Sequence, residues 1–208
     1  MSLTPHTLWQ AAHRLACRLG ILLSAATLLA LPAAAQDAPR VRFVTSAGEF
    51  VVEVYPDSAP KTVENFLQYV RDKHYDGTIF HRVIDNFMIQ GGGFDTRFAQ
   101  KRTRAPIGHE GREAQAKGLR NTIGTLAMAR TSDPNSATAQ FFINVRDNAF
   151  LDHTAPTMQG YGYTVFGRVV GGMDVVNRIK SIPTGPAGPF PSDVPRTPVV
   201  IESATIVR

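Results

Sequence analysis

Two spacings of apolar positions run along the chain. Behind Pro60, a residue that fits the first turn of a helix because its missing N–H is not needed there, Val63, Phe66, Leu67 and Val70 recur at i, i+3, i+4 and i+7. This predicts an amphipathic helix from Pro60 to about Asp72. A shorter stretch, Met173 to Lys180, brings Val176, Ile179 and Lys180 near one another and predicts a second helix.

Elsewhere the apolar runs are short and rich in Val, Ile and Phe. Arg42–Thr45 and Glu49–Tyr55, joined by Ser46-Ala47-Gly48, predict a hairpin. Thr78–Val83, Phe87–Gly91, Thr125–Arg130, Gln140–Val145 and Val165–Val170 are bounded by Gly, Asn, Asp or Pro and predict strands, as does Val199–Val207 at the end. Residues 181–198 hold six of the fourteen prolines and predict a loop. Many short strands with two helices predict a mainly β fold, either an antiparallel barrel or a sandwich. Closure into a barrel would leave no open strand edge.

The N-terminal pattern differs. His13, Arg14 and Arg18 precede an apolar run from Leu19 to Leu31 broken only by Ser24 and Thr27, and Pro32-Ala33-Ala34-Ala35 follows. A basic region, an apolar region and small residues at the cut are the parts of a secretory signal. The run is shorter than the roughly 20 residues that span a bilayer. Residues 1–35 are therefore expected to be a signal peptide cleaved after Ala35, with 36–40 a short linker and 41–208 one folded domain. After cleavage no membrane insertion is expected. The cut would also remove Cys17, the only cysteine, leaving a thiol-free protein suited to an oxidising compartment.

Charge and composition narrow the chemistry. The formal charge of +5 falls to an excess of three when Arg14 and Arg18 are removed with the leader, too mild to imply a nucleic-acid partner. Neither a nucleophile elbow nor a P-loop occurs. His109-Glu110-Gly111-Arg112-Glu113 begins like a zinc-protease motif but has Glu113 where the second His would stand. Histidines 74, 81, 109 and 153 are scattered, so neither a metal nor another cofactor is expected. Gly91-Gly92-Gly93 reads as a turn, and Arg97, Lys101, Arg102 and Arg104 as a solvated loop.

Some apolar runs contain polar residues. In Phe80-His81-Arg82-Val83-Ile84-Asp85-Asn86-Phe87-Met88-Ile89-Gln90-Gly91-Gly92, strict alternation places Phe80, Arg82 and Ile84 on one face, and Met88 and Gln90 on one face of the next strand. A related cluster is Ala127-Met128-Ala129-Arg130 with Gln140-Phe141-Phe142-Ile143-Asn144.

These segments resemble the cyclophilin-type peptidyl-prolyl cis-trans isomerases. The likeness runs from about Val41 to Arg208 and includes Pro60-Lys61-Thr62-Val63-Glu64-Asn65-Phe66, Phe150-Leu151-Asp152 and Val165-Phe166-Gly167, in the family's order. It implies a closed eight-stranded antiparallel β-barrel capped by two α-helices. It further implies an isomerase of X–Pro peptide bonds acting on proline-containing peptides. With the leader, it suggests a periplasmic protein that helps unfolded exported proteins to fold.

The resemblance gives Arg82 the catalytic role. Phe87, Met88, Phe142 and Leu151 match the walls that receive the proline ring, and Gln90, Gln140 and Ala129 match contacts to the bound peptide. Arg130 stands where many relatives have Asn, with its backbone as the contact. Phe150 replaces a tryptophan common in eukaryotic members, and Tyr163 falls near a histidine position; both line the same site. A monomer is expected. Two other readings are a proline-peptide binding module or holdase on the same scaffold, and a barrel that binds a small molecule inside.

Overall fold

The computed structural model describes residues 38–207. The expected leader, 1–35, and the first part of the linker lie outside the described residues. In chain order the elements are β1 (Arg40–Thr45), β2 (Gly48–Val54), α1 (Pro60–Arg71), β3 (Thr78–Ile84), β4 (Met88–Asp95), α2 (Gly111–Ala116), β5 (Thr125–Met128) and β6 (Phe141–Asn144). A single 3-10 turn, Ala149–Leu151, then leads to β7 (Val165–Gly171), α3 (Met173–Lys180), β8 (Thr184–Ala187), β9 (Phe190–Pro195) and β10 (Val200–Val207).

Eight strands close in the order β1-β10-β3-β4-β6-β5-β7-β2, all neighbours antiparallel. The barrel is sealed where β10 reaches β3 through Val200 and Ile201 opposite Ile79 and Thr78. The expected eight-stranded barrel is thus present. Its interior is filled: Phe43 stacks on Phe50 at 5.0 Å between centroids, and Phe66, Tyr75, Phe80, Phe141 and Phe166 interlock with them at tilted or edge-on angles. Rings packed this way leave the interior to side chains, as in other small barrels, which removes the basis for an internal small-molecule site.

The two expected helices cover this core. α1 buries Val63, Phe66, Leu67 and Val70, and α3 buries Val175, Val176 and Ile179. At the start of α1 no side chain of the helix caps the free N–H groups. The buried Glu110 does so from a distant loop, accepting from the Lys61 and Thr62 amides at 3.1 and 2.8 Å. This is what the His109-Glu110 motif builds: a remote cap.

Three expectations need correction. Residues 181–198 are not a loop, because β8 and β9 form a two-stranded ribbon containing Pro186, Pro191 and Pro195. Proline is tolerated there because a two-stranded ribbon has open edges where a missing N–H costs no ladder bond. Helix α2 was not expected; its six residues bury only Gly111 and Ala114, too few to leave a periodic trace.

Gly91-Gly92-Gly93 is not a turn but the middle of β4. A side chain at Gly91 would press on the Phe80 ring at 2.9 Å, and one at Gly93 would meet Gln140 at 2.5 Å. The glycines therefore admit close neighbours. As expected, Arg97, Arg102 and Arg104 are exposed in a loop, and only Lys101 is half-buried. Arg97 pairs with Asp95, Arg104 with Asp72, and Lys101 donates to the carbonyls of His74 and Asp76.

Candidate active site

The register of β3, β4, β6 and β5 sets the site. Arg82 lies opposite Gln90, Gln90 opposite Phe142, and Phe142 opposite Ala127. Directly opposed residues on one face have Cβ atoms about 4.5–5.5 Å apart, so these four form a row across four strands. A second row runs Ile84, Met88, Asn144. Both rows face outward, while Val83, Ile89, Phe141 and Ile143 belong to the barrel core.

One assignment of faces is wrong. Phe80 does not share a face with Arg82. The pairing shifts between them, Phe80 opposite Gly91 and Arg82 opposite Gln90, so His81 is an extra residue in a bulge. A bulge reverses the alternation that a regular strand keeps. It turns Phe80 inward to the core and Arg82 outward.

The outward rows gather a second apolar cluster, separate from the interior. Met88, Ala127, Phe142, Leu151 and Val165 are its buried members, and Ile84, Phe87, Ala129 and Tyr163 border it. Of the sequence-predicted residues, Phe87, Met88, Ala129, Phe142, Leu151 and Tyr163 thus meet at one place. Tyr163 stands edge-on to Phe142 at 5.5 Å. Phe150, 73% exposed, stacks on Phe87 at 5.7 Å and extends the apolar surface into solvent. Gln90 Nε2 donates to the side-chain Oε1 of Gln140 at 3.0 Å, a polar crosspiece beside the row.

Arg130 is placed differently from a residue that offers only its backbone. Its guanidinium lies 4.7 Å over the Tyr163 ring, and its Nε donates to the Gly162 carbonyl at 2.8 Å. The side chain braces the segment that carries Tyr163. The Ala129 amide is bonded to the Gln140 carbonyl, at 3.0 Å, which ties the two flanks of the patch together.

Arg82 is 43% exposed. Its nearest acid is Asp193 on β9, 33% exposed, with Oδ2 3.8 Å from Nε. That separation exceeds a hydrogen bond, so the guanidinium is attracted but not locked. His81, next in the chain, is buried between Phe94 and Phe190 at 4.8 and 5.3 Å. Burial is the main cause that depresses its pKa to about 4, so the ring is neutral and adds no charge beside Arg82 at neutral pH.

Sequence reasoning missed the support beneath the patch. Asn148, fully buried, donates to the Phe87 carbonyl at 2.9 Å and to Asn144 Oδ1 at 2.8 Å. Asn144 in turn donates to Asn121 and Thr125, and the Asn121 amides donate to Asp152. This chain of bonds holds the Ala149–Leu151 turn against Phe87. Two asparagines four residues apart beside an apolar strand were its only trace in the sequence. Asp193 left none, since its segment read as a loop.

A cavity of about 310 Å³, lined by His109, Arg112, Glu113, His153 and Tyr161, shares no residue with the patch. No group of three or more His, Cys, Asp or Glu among the described residues could hold a metal ion.

Comparison with known proteins agrees with this fold. The family model for "Cyclophilin type peptidyl-prolyl cis-trans isomerase/CLD" matches residues 40–206. The peptidyl-prolyl cis-trans isomerase cyp18 of Streptomyces antibioticus is 61% identical over 167 residues, 80% of this chain and 98% of that protein. Peptidyl-prolyl cis-trans isomerase B of Escherichia coli (strain K12) is 54% identical over 166 residues, with the same two shares. Among solved structures, a Cryptosporidium parvum cyclophilin type isomerase crystallised in the presence of the dipeptide Ala-Pro superposes with a TM-score of 0.60 at 25% identity. It covers 81% of this chain and 99% of that one.

Proposed function

The chain belongs to the cyclophilin-type peptidyl-prolyl cis-trans isomerases and is an enzyme of that activity; from this premise we propose that the outward patch on β3, β4, β6 and β5 is its active site. Arg82 is the catalytic group in this reading. Phe87, Met88, Phe142 and Leu151 hold the proline ring, with Phe150 and Tyr163 at the borders. Gln90, Gln140, Ala129 and Arg130 meet or brace the peptide backbone. The observation that carries the proposal is the row itself: a half-exposed guanidinium, a glutamine and an apolar floor in register on neighbouring strands.

Rotation of a peptide bond is resisted by about 18–20 kcal/mol of lost C–N resonance. The two X–Pro end states differ by only about 0.5–1 kcal/mol, yet exchange takes tens to hundreds of seconds. The obstacle is kinetic, and no covalent bond has to break. As the bond twists, the prolyl nitrogen lone pair leaves the amide resonance and can accept a hydrogen bond. A guanidinium set beside it binds the twisted form better than the planar one, which is the differential binding that catalysis requires. Arg82 serves as a donor and a charge, since a group with a pKa above about 12 does not give up its proton. The apolar floor grips the ring while the preceding carbonyl swings.

The same scaffold could bind proline peptides with little catalysis, but simple binding would need the floor and not the arginine. A protease-coupled or exchange-NMR assay on an X–Pro peptide separates the two. Arg82→Ala should lower kcat/KM at least tenfold, about 1.4 kcal/mol of transition-state stabilisation. Unchanged turnover would remove Arg82 from the mechanism.

The physiological reading is a folding assistant for exported proteins, in the periplasm, acting as a monomer. Its support is the pattern of residues 1–35 and the absence of cysteine from residue 36 on.

A further inference from the structure

Asp193 sits beside Arg82 by means of an unusual local backbone. Its φ is +67°, in the left-handed region that residues with a side chain rarely enter. The pairing of β8 with β9 shifts between Gly185 opposite Val194 and Ala187 opposite Phe190, so the ribbon is bulged around this residue. Bulges re-aim side chains and gather next to active sites, and strained backbone persists where surrounding structure holds it.

The surrounding structure does hold it. Phe190 packs against His81, Phe94 and Phe98, at 5.3, 5.0 and 6.1 Å, and Val194 is buried. The ribbon is thereby fastened to the outside of β3 and β4. Anchored on both sides, the bulge brings the Asp193 carboxylate to 3.8 Å from Arg82 Nε. It is the one acidic side chain within 4.0 Å of Arg82 among the described residues.

We infer that Asp193 is a positioning residue for the isomerase reaction: from the β8–β9 ribbon, its carboxylate holds the Nε side of Arg82 and leaves the terminal guanidinium nitrogens to face substrate. This inference rests on the reading of Arg82 as the catalytic group. An arginine side chain has many rotamers, and a guanidinium that must search for its place loses part of its advantage in the transition state. A fixed negative charge narrows that search. Contact at hydrogen-bond distance to the terminal nitrogens would instead compete with substrate for those donors. The longer approach restrains without occupying them. Both groups are half exposed and screened by water, so the effect is modest.

The test is a cycle of Asp193→Asn, Asp193→Ala and Asp193→Glu, alone and combined with Arg82→Lys, with kcat and KM resolved on one X–Pro peptide and folding checked by circular dichroism. Asp193→Asn keeps the shape and removes the charge. It should lower kcat three- to fivefold, about 0.6–1 kcal/mol, with KM within twofold of the parent. Asp193→Glu should recover part of the loss. In the Arg82→Lys background the Asn variant should cause less than half of its own effect, because the arginine it positions is gone.

Wild-type kcat in Asp193→Asn, or the same loss with and without Arg82, would overturn the assignment. Arg82→Ala separates the two failures. If it leaves turnover intact, the reading of Arg82 itself is wrong; if it abolishes turnover while Asp193→Asn does not change it, only the role of Asp193 falls. Should Asp193→Ala fail to fold, the Asn and Glu variants still decide.

Discussion

His81 and Arg82 are neighbours in the chain with opposite surroundings, and the bulge between the Phe80 and Arg82 pairings is the cause. Arg82 keeps water on part of its side chain, while His81 is buried among Phe94 and Phe190, with Nδ1 lacking a hydrogen-bond partner. Its folded-state pKa of about 4 lies below the 6.5 of an ordinary imidazole. The unfolded chain therefore takes up a proton here between pH 6.5 and 4 and the folded chain does not. The contribution to stability is complete above about pH 6.5 and is lost as the pH falls toward 4. A shift of this size is worth roughly 3 kcal/mol. His74 and His109 are lowered too, mainly by burial, and add to the same acid sensitivity. In urea denaturation at pH 7, 5.5 and 4.5, His81→Phe should lose clearly less stability than the parent across this range. Equal losses would show that His81 is not the group responsible.

Among elements, the Ala149–Leu151 turn and the β8–β9 ribbon do what the barrel cannot. A strand presents side chains perpendicular to its sheet, so the floor comes from the barrel but the walls have to be brought in. The turn supplies Leu151 and Phe150, and the buried asparagines hold it in place. In Asn148→Ala the buried Asn144 Oδ1 loses its donor, at a cost of about 1–3 kcal/mol, and the Phe87 carbonyl is left with the Val145 N–H alone. The stacked pair of Phe87 and Phe150 should loosen with it. KM for an X–Pro peptide is expected to rise severalfold with kcat less affected, because Asn148 supports binding walls and does not approach Arg82. A kcat loss at constant KM would contradict that division. The ribbon brings the other wall, with Asp193, and fastens it through Phe190.

For the whole molecule, the filled interior and the outward site divide the labour. The closed barrel removes strand edges and makes a rigid support. Chemistry is placed on its outside, where a peptide can reach it. The proposed export belongs to this scale. Expressed in full in a Gram-negative host, the protein should appear in the periplasmic fraction with Gln36 as its first residue by mass spectrometry. A version lacking residues 1–35 should remain in the cytoplasm and keep isomerase activity, since the described elements begin at Arg40. Full-length protein retained uncut at the inner membrane would refute cleavage.

The sequence by itself determined the two main helices and the barrel strands, each of which leaves a local mark: a 3.6 or two-residue period, or a run of aromatic and branched side chains. Phe87, Met88, Phe142 and Leu151 of the apolar patch were named by the family resemblance, not by any period. α3 begins and ends where its apolar spacing places it, at Met173 and Lys180. Tertiary structure alone decided which way Arg82 faces, because alternation assumes a regular strand and a bulge reverses it. It also decided that a proline-rich stretch would be a ribbon, that Glu110 would cap a helix 48 residues away, and that Asp193 would stand beside Arg82. Those contacts join positions far apart in the chain, where no period or local composition records the partner.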